Sequence, residues 1–109
     1  MSADQRNASD QHLDFLAEWY RSQCDGDWEH QHGVHIGTID NPGWSLDVDL
    51  VGTSLAEVTI APKTIERTDE NWMFVEVKDG KFRARGGPLN LTELASAFHE
   101  FVRGTLPSQ

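Results

Sequence analysis

The sequence predicts an α+β fold: an antiparallel sheet of about five strands with an N-terminal and a C-terminal helix packed on one face. Three observations lead there. Apolar residues recur at helical spacing near both ends of the chain, short runs separated by turn residues fill the middle, and Asp79-Gly80 marks a tight hairpin. Each helical segment shows a single apolar stripe, so both helices are expected on the same side of the sheet.

Met1 to Ser9 is polar and reads as a flexible tail. From Asp10, placed as the N-cap, Leu13, Leu16, Ala17 and Tyr20 form a stripe that Phe15 and Trp19 widen, and Asp25-Gly26 ends the helix near Cys24. After a polar link, Val34 to Ile39 reads as the first strand. Asp40-Asn41-Pro42-Gly43 is a turn, with proline presetting one position and glycine admitting positive φ at a later one. Trp44, Leu46, Val48 and Leu50 then alternate with Ser45, Asp47 and Asp49, a half-buried strand of period two. Gly52-Thr53-Ser54 turns the chain, Leu55 to Ala61 forms a third strand closed by Pro62, and Thr64 to Asn71 is a polar loop. Trp72 to Lys78 and Lys81 to Arg85 flank the Asp79-Gly80 turn of type I′. Gly86-Gly87-Pro88 breaks the sheet. Asn90 and Glu93, spaced as a capping box, open a helix carrying Leu91, Leu94, Ala95, Phe98, Phe101 and Val102 that stops at Gly104.

At 109 residues, with 38% hydrophobic and 25% charged residues, the chain makes one domain, residues 1–109, around a modest core. It is too apolar for a disordered chain, and no run approaches the ~20 apolar residues of a membrane span. The N-terminus has neither the basic start nor the apolar stretch of a signal peptide, and one cysteine cannot form an intramolecular disulfide. A cytoplasmic protein is expected.

The net charge of −9 is unevenly placed. Between Arg21 and Lys63 there is no Lys or Arg, while Asp25, Asp27, Glu29, Asp40, Asp47, Asp49 and Glu57 fall there. Such a stretch repels phosphates, which argues against a nucleic-acid partner, and attracts a basic protein. As a general matter, acidic surfaces also keep proteins soluble.

Candidate chemistry concentrates in Cys24 to His35. His30, His32 and His35 are zinc-ligand types, but on extended chain His35 points away from the other two, and no second Cys or His cluster completes a site. No metal and no cofactor are expected. Asp25 and Asp27 resemble the start of a calcium loop, yet the later ligands are missing. Glu29 and His30 could form an acid–base pair if a pocket perturbed them. Cys24 lies at a helix C-terminus beside two acids, an environment that disfavours a thiolate. Asp47 and Asp49 read as an exposed acidic sheet face. Trp28, Trp44 and Trp72 stand at strand beginnings or in loops, where they either fill the core or anchor a partner.

Trp19-Tyr20, Gln23-Cys24-Asp25-Gly26-Asp27-Trp28-Glu29-His30, Gly33 and Asp40-Asn41-Pro42-Gly43-Trp44 together resemble the signature of the immunity protein 53 family, small bacterial proteins found beside polymorphic toxin systems. The resemblance runs from the first helix to the last. It implies a non-enzymatic, cytoplasmic antitoxin that binds and blocks a cognate toxin domain. Many toxin domains are nucleases with basic clefts, which carboxylates could fill in place of phosphates. On that reading Asp25, Asp27, Trp28, Glu29, His30, Asp40 and Trp44 lie at or just behind the contact surface. Two alternatives stay open. Cys24, Asp27, Glu29 and His30 could line a pocket for a small ligand or a reaction, or the motif could be structural, with its side chains bonded to backbone groups.

Overall fold

A computed structural model describes residues 8–104, with side chains from position 11 onward. The chain runs α1 (Ala8–Gln23), α2 (Trp28–Gln31), β1 (Val34–Ile39), β2 (Gly43–Asp49), β3 (Ile60–Thr68), β4 (Asn71–Lys78), β5 (Lys81–Gly86) and α3 (Leu91–Arg103). The five strands form one antiparallel sheet in the order β1-β2-β5-β4-β3, with the helices on one side. The expected α+β layer is the architecture observed.

Period-two alternation places the core. Leu46 and Val48 of β2, Met73, Val75 and Val77 of β4, and Phe82 and Ala84 of β5 point to the same face and are buried. Against them α3 sets Leu94, Ala97, Phe98 and Phe101, all buried. Phe82 meets Phe98 edge-on at 5.2 Å, and Phe98 meets Trp19 of α1 edge-on at 5.0 Å. Edge-to-face rings add about 0.5–1.5 kcal/mol beyond the area they bury. α1 therefore docks chiefly on α3, through Phe15, Leu16 and Trp19.

The opposite face carries charge in register. Asp47 accepts from Arg85 at 2.8 Å, Asp49 lies 3.1 Å from Lys81, and Glu76 lies 3.7 Å from Arg83. Asp47 and Asp49 do face away from the core, but β5 neutralises them rather than leaving an acidic sheet face. Burial pushes the Asp49 carboxyl up, and the Gly33 amide together with Lys81 outweighs that, holding it below the usual range.

Several boundaries differ from the sequence reading. Of the expected tail 1–9, residues 1–7 lie outside the described residues, while Ala8 and Ser9 already belong to α1, so Asp10 sits inside the helix rather than capping it. The polar link contains α2, a single turn. Leu55 to Val58 makes consecutive turns, opened by Thr53 whose hydroxyl donates to the Leu50 carbonyl at 2.7 Å. The third strand is instead Ile60–Thr68, through Pro62 and most of the supposed loop. An edge strand can be polar and can accommodate a proline whose missing N–H faces outward. The turn at Asp79-Gly80 is as expected, with φ of 56° and 73°.

Gly43 is required by proximity rather than by positive φ: a Cβ there would collide with the carbonyl oxygen of Gly86 on the neighbouring strand. Gly86 itself belongs to β5 and pairs with Trp44 and Met73, so the sheet ends one residue later than read. Asn90 precedes α3 without capping it. Its amide oxygen accepts from the Trp72 N–H at 3.1 Å, and its Nδ2 donates to Asn71 and Glu93. The Asn90–Glu93 pair thus joins helix to sheet instead of forming a capping box.

Gly43→Ala is expected to lower stability by about 1–3 kcal/mol, the usual cost of overpacking, measured by urea unfolding. A second expectation concerns pH. His12 of α1 and His99 of α3 meet through their Nδ1 atoms at 3.2 Å, an arrangement only one shared proton allows, and His99 stacks on Phe15. Burial first, then the His12 charge and Arg103, pull the His99 pKa below its ordinary value, with Glu100 opposing. The unfolded chain therefore binds the proton more readily, and stability should fall as pH drops below about 6.5. His99→Phe should flatten the dependence of unfolding free energy between about pH 7.5 and about pH 5.5.

Candidate functional site

The passage from Asp25 to Glu29 is a closed hydrogen-bonded loop. Asp25 Oδ1 accepts from the amides of Asp27 at 2.9 Å and Trp28 at 3.0 Å, closing a turn just ahead of α2. Glu29 reaches back, its carboxylate accepting from the amides of Asp25 and Gly26, each at 2.9 Å. Gly26, at φ 97°, supplies the left-handed residue that lets the chain turn between them. These contacts hold both carboxyls below the usual range: for Asp25 the Trp28 and then the Asp27 amide, for Glu29 its own amide and then those of Asp25 and Gly26, with His30 adding to it.

Trp28 lies behind this loop. It is 6% exposed, meets Trp19 edge-on at 6.0 Å, and donates its indole N–H to the Val51 carbonyl at 2.8 Å. Trp44 is half-buried and donates to the Pro88 carbonyl at 3.0 Å. Gly33 closes the passage, its amide bonded to Asp49 at 2.9 Å.

The site residues therefore divide. Asp25, Asp27, Glu29 and His30 gather at the end of α1, where the chain enters β1; Asp25, Asp27 and His30 are exposed and Glu29 half-buried. Asp40, also exposed, and Trp44 lie at the far end of the β1–β2 hairpin, about 20 Å away by strand rise. The two groups are joined along β1 and along its partner β2.

Cys24, Asp27, Glu29 and His30, the residues of the pocket reading, lie together at the end of α1. The Cys24 thiol, just past α1, donates to the Tyr20 carbonyl in its last turn at 3.3 Å. None of the four lines the groove of about 500 Å³ between α1 and β1, nor the cleft of about 530 Å³ at Asn41, Arg67 and Trp72. Among the described residues no three His, Cys, Asp or Glu side chains come together as a group that could hold a metal ion.

Sequence reasoning missed the groove. The helical period puts Leu13, Ala17 and Tyr20 on the apolar stripe of the first helix, but α1 is rotated so that Phe15, Leu16 and Trp19 take the core. Leu13 and Tyr20 are left 39% and 38% exposed, facing Val34 and the 46% exposed Ile36. A helix with aromatics on two adjacent flanks leaves its rotation undetermined until the packing partner is known.

Trp28→Ala should cost about 3–5 kcal/mol of stability, the range for emptying a large core site. Asp27→Ala, at an exposed side chain, should leave the melting temperature within a degree or two, on the order of a surface substitution. Thermal melts of the two variants check the division between core and surface.

Among the described residues no helix is long and apolar enough to cross a membrane. No solved structure matches the chain. A biosynthetic arginine decarboxylase from Phocaeicola vulgatus is 31% identical over 75 residues, a stretch covering 65% of this chain and 12% of that enzyme. The chain thus spans about an eighth of the length of that relative, whose activity resides in a far longer protein. The family described as Immunity protein 53 matches residues 13–103, from the middle of α1 to the last residue of α3. The match takes in both acidic ends of the hairpin and nearly every described element, and the chain belongs to the immunity protein 53 family.

Proposed function

We propose that the chain is a non-enzymatic antitoxin, acting in the cytoplasm, that occludes a basic, nuclease-like toxin domain with its acidic flank. Membership in an immunity protein family carries the immunity role and a protein toxin as partner. The finer reading is supported by one observation, the placement of charge. Three of the four cations of the β4–β5 hairpin, Lys81, Arg83 and Arg85, are matched by Asp49, Glu76 and Asp47, while Asp25, Asp27 and Asp40 stand exposed in a stretch without Lys or Arg. A cationic cleft would meet them as it meets phosphates, and long-range attraction would speed the encounter.

Trp28 and Trp44 contribute from behind, by fixing the two ends of the hairpin on which these acids stand. Asp25 and Glu29 contribute charge as well as loop geometry, since accepting amide hydrogens leaves a carboxylate ionised.

The test is co-expression with a cognate toxin domain. Wild type should preserve growth, and association should slow steeply as salt rises. The double reversal Asp27→Lys with Asp40→Lys should weaken binding by at least about tenfold, chiefly through the association rate. Full protection by that variant rules out acid-led docking. Cys24→Ala should protect as well as wild type, and loss of protection by it would favour a reactive or ligand-binding role for the cluster.

A further inference from the structure

The two edges of the sheet are treated differently by the sequence. β3 carries Pro62, Lys63 and Arg67, and its register with β4 shifts between Ile60 and Lys63 and again between Glu66 and Thr68. Proline, cations and irregular register are the devices that keep an edge from pairing with another chain. β1 has none of them: Val34–Ile39 contains no proline, lysine or arginine and pairs with β2 without a break.

The open edge is also furnished for a partner. The Asp49 amide donates to the Gly33 carbonyl at 3.0 Å, which makes Val34↔Val48 a non-hydrogen-bonded pair. By antiparallel alternation the N–H and C=O groups of Val34, Ile36 and Thr38 then point away from β2, along the free edge. Beside them lies the groove of about 500 Å³, with Leu13, Tyr20 and Ile36 exposed. Asp25 and Asp27 stand at one end of the strand and Asp40 at the other.

We propose that β1 accepts an extended segment of the partner protein as a sixth strand, with apolar side chains entering the groove and alternate Lys or Arg side chains meeting the acids at either end. This rests on the reading that the chain binds a protein toxin, and it assigns the docking mode and the chemistry of the segment. Strand addition takes affinity from main-chain hydrogen bonds and specificity from alternate side chains. A second copy of this chain is the disfavoured occupant. Antiparallel self-pairing would bring Asp25 and Asp27 of each copy against Asp40 of the other, with no cation between Arg21 and Lys63 to offset them.

The probe is a synthetic octapeptide of alternating valine and lysine, with alternating valine and glutamate as control, each at millimolar concentration with ¹⁵N-labelled protein. The lysine peptide should slow hydrogen exchange of the Val34, Ile36 and Thr38 amides and the glutamate peptide should not. Thr38→Pro, which removes only an outward-facing donor, and Ile36→Lys, which puts a cation at the groove, should each abolish the slowing while keeping the wild-type amide spectrum elsewhere. Slowing by neither peptide, slowing at β3 instead, or equal slowing by both overturns the proposal. So does protection of β1 without peptide that rises with protein concentration alongside a dimer in sedimentation. In the co-expression assay both variants should lose protection by about tenfold or more in the toxin dose tolerated. If wild type protects and the folded variants protect equally, strand addition fails and the immunity reading stands; if wild type fails to protect, the immunity reading fails and the peptide exchange decides strand addition by itself.

Discussion

A chain of four aromatic rings holds the molecule together. Phe82 of the sheet meets Phe98 of α3, Phe98 meets Trp19 of α1, and Trp19 meets Trp28 of the acidic loop, each pair close to perpendicular. Every layer is represented once. α1 has few neighbours in the sheet, so its position depends on Trp19 and Phe15 pressing on α3. The loop depends in turn on Trp28, whose indole N–H reaches the segment leaving β2. Removing a central ring would loosen the helical layer and the loop together, because each ring is the floor on which the next is laid.

This arrangement explains why a motif rich in Asp, Glu and Trp need not be a reaction centre. Its two indoles are anchored by buried packing and by carbonyl acceptors, and two of its carboxylates organise main-chain amides. Exposed ion pairs such as Arg21–Glu18 contribute about 0–1 kcal/mol, so they cannot set the loop's shape. The buried tryptophan sets it, and the amide bonds refine it. What the motif presents to solvent is a rigid display of negative charge. Rigidity matters to a binding surface because ordering a loose loop on contact subtracts from affinity.

The parts of the fold legible in the sequence were those with a strong local period. β2, β4 and β5 alternate cleanly, α3 has one apolar stripe, and Asp79-Gly80 allows one turn type. β3 was misplaced because an edge strand buries too little to show alternation, and Pro62 looked like a stop. At the site, the acid cluster and its exposure were readable, as was the turn near Asp40. The use of Asp25 and Glu29 as amide acceptors depends on a left-handed Gly26 and is not a matter of residue type alone, although Asp followed four positions later by Glu across a glycine is a recognisable signal. The groove was invisible because it is created by the rotation of α1, which α3 decides.

The pairing of charges on the bare side of the sheet has an effect on the molecule as a whole. With Arg85, Lys81 and Arg83 each set against a carboxylate, those three pairs are neutral and the net charge of −9 is carried by other residues. In an external field a particle whose charge is unevenly placed turns before it touches, as a compass needle swings before it is drawn in.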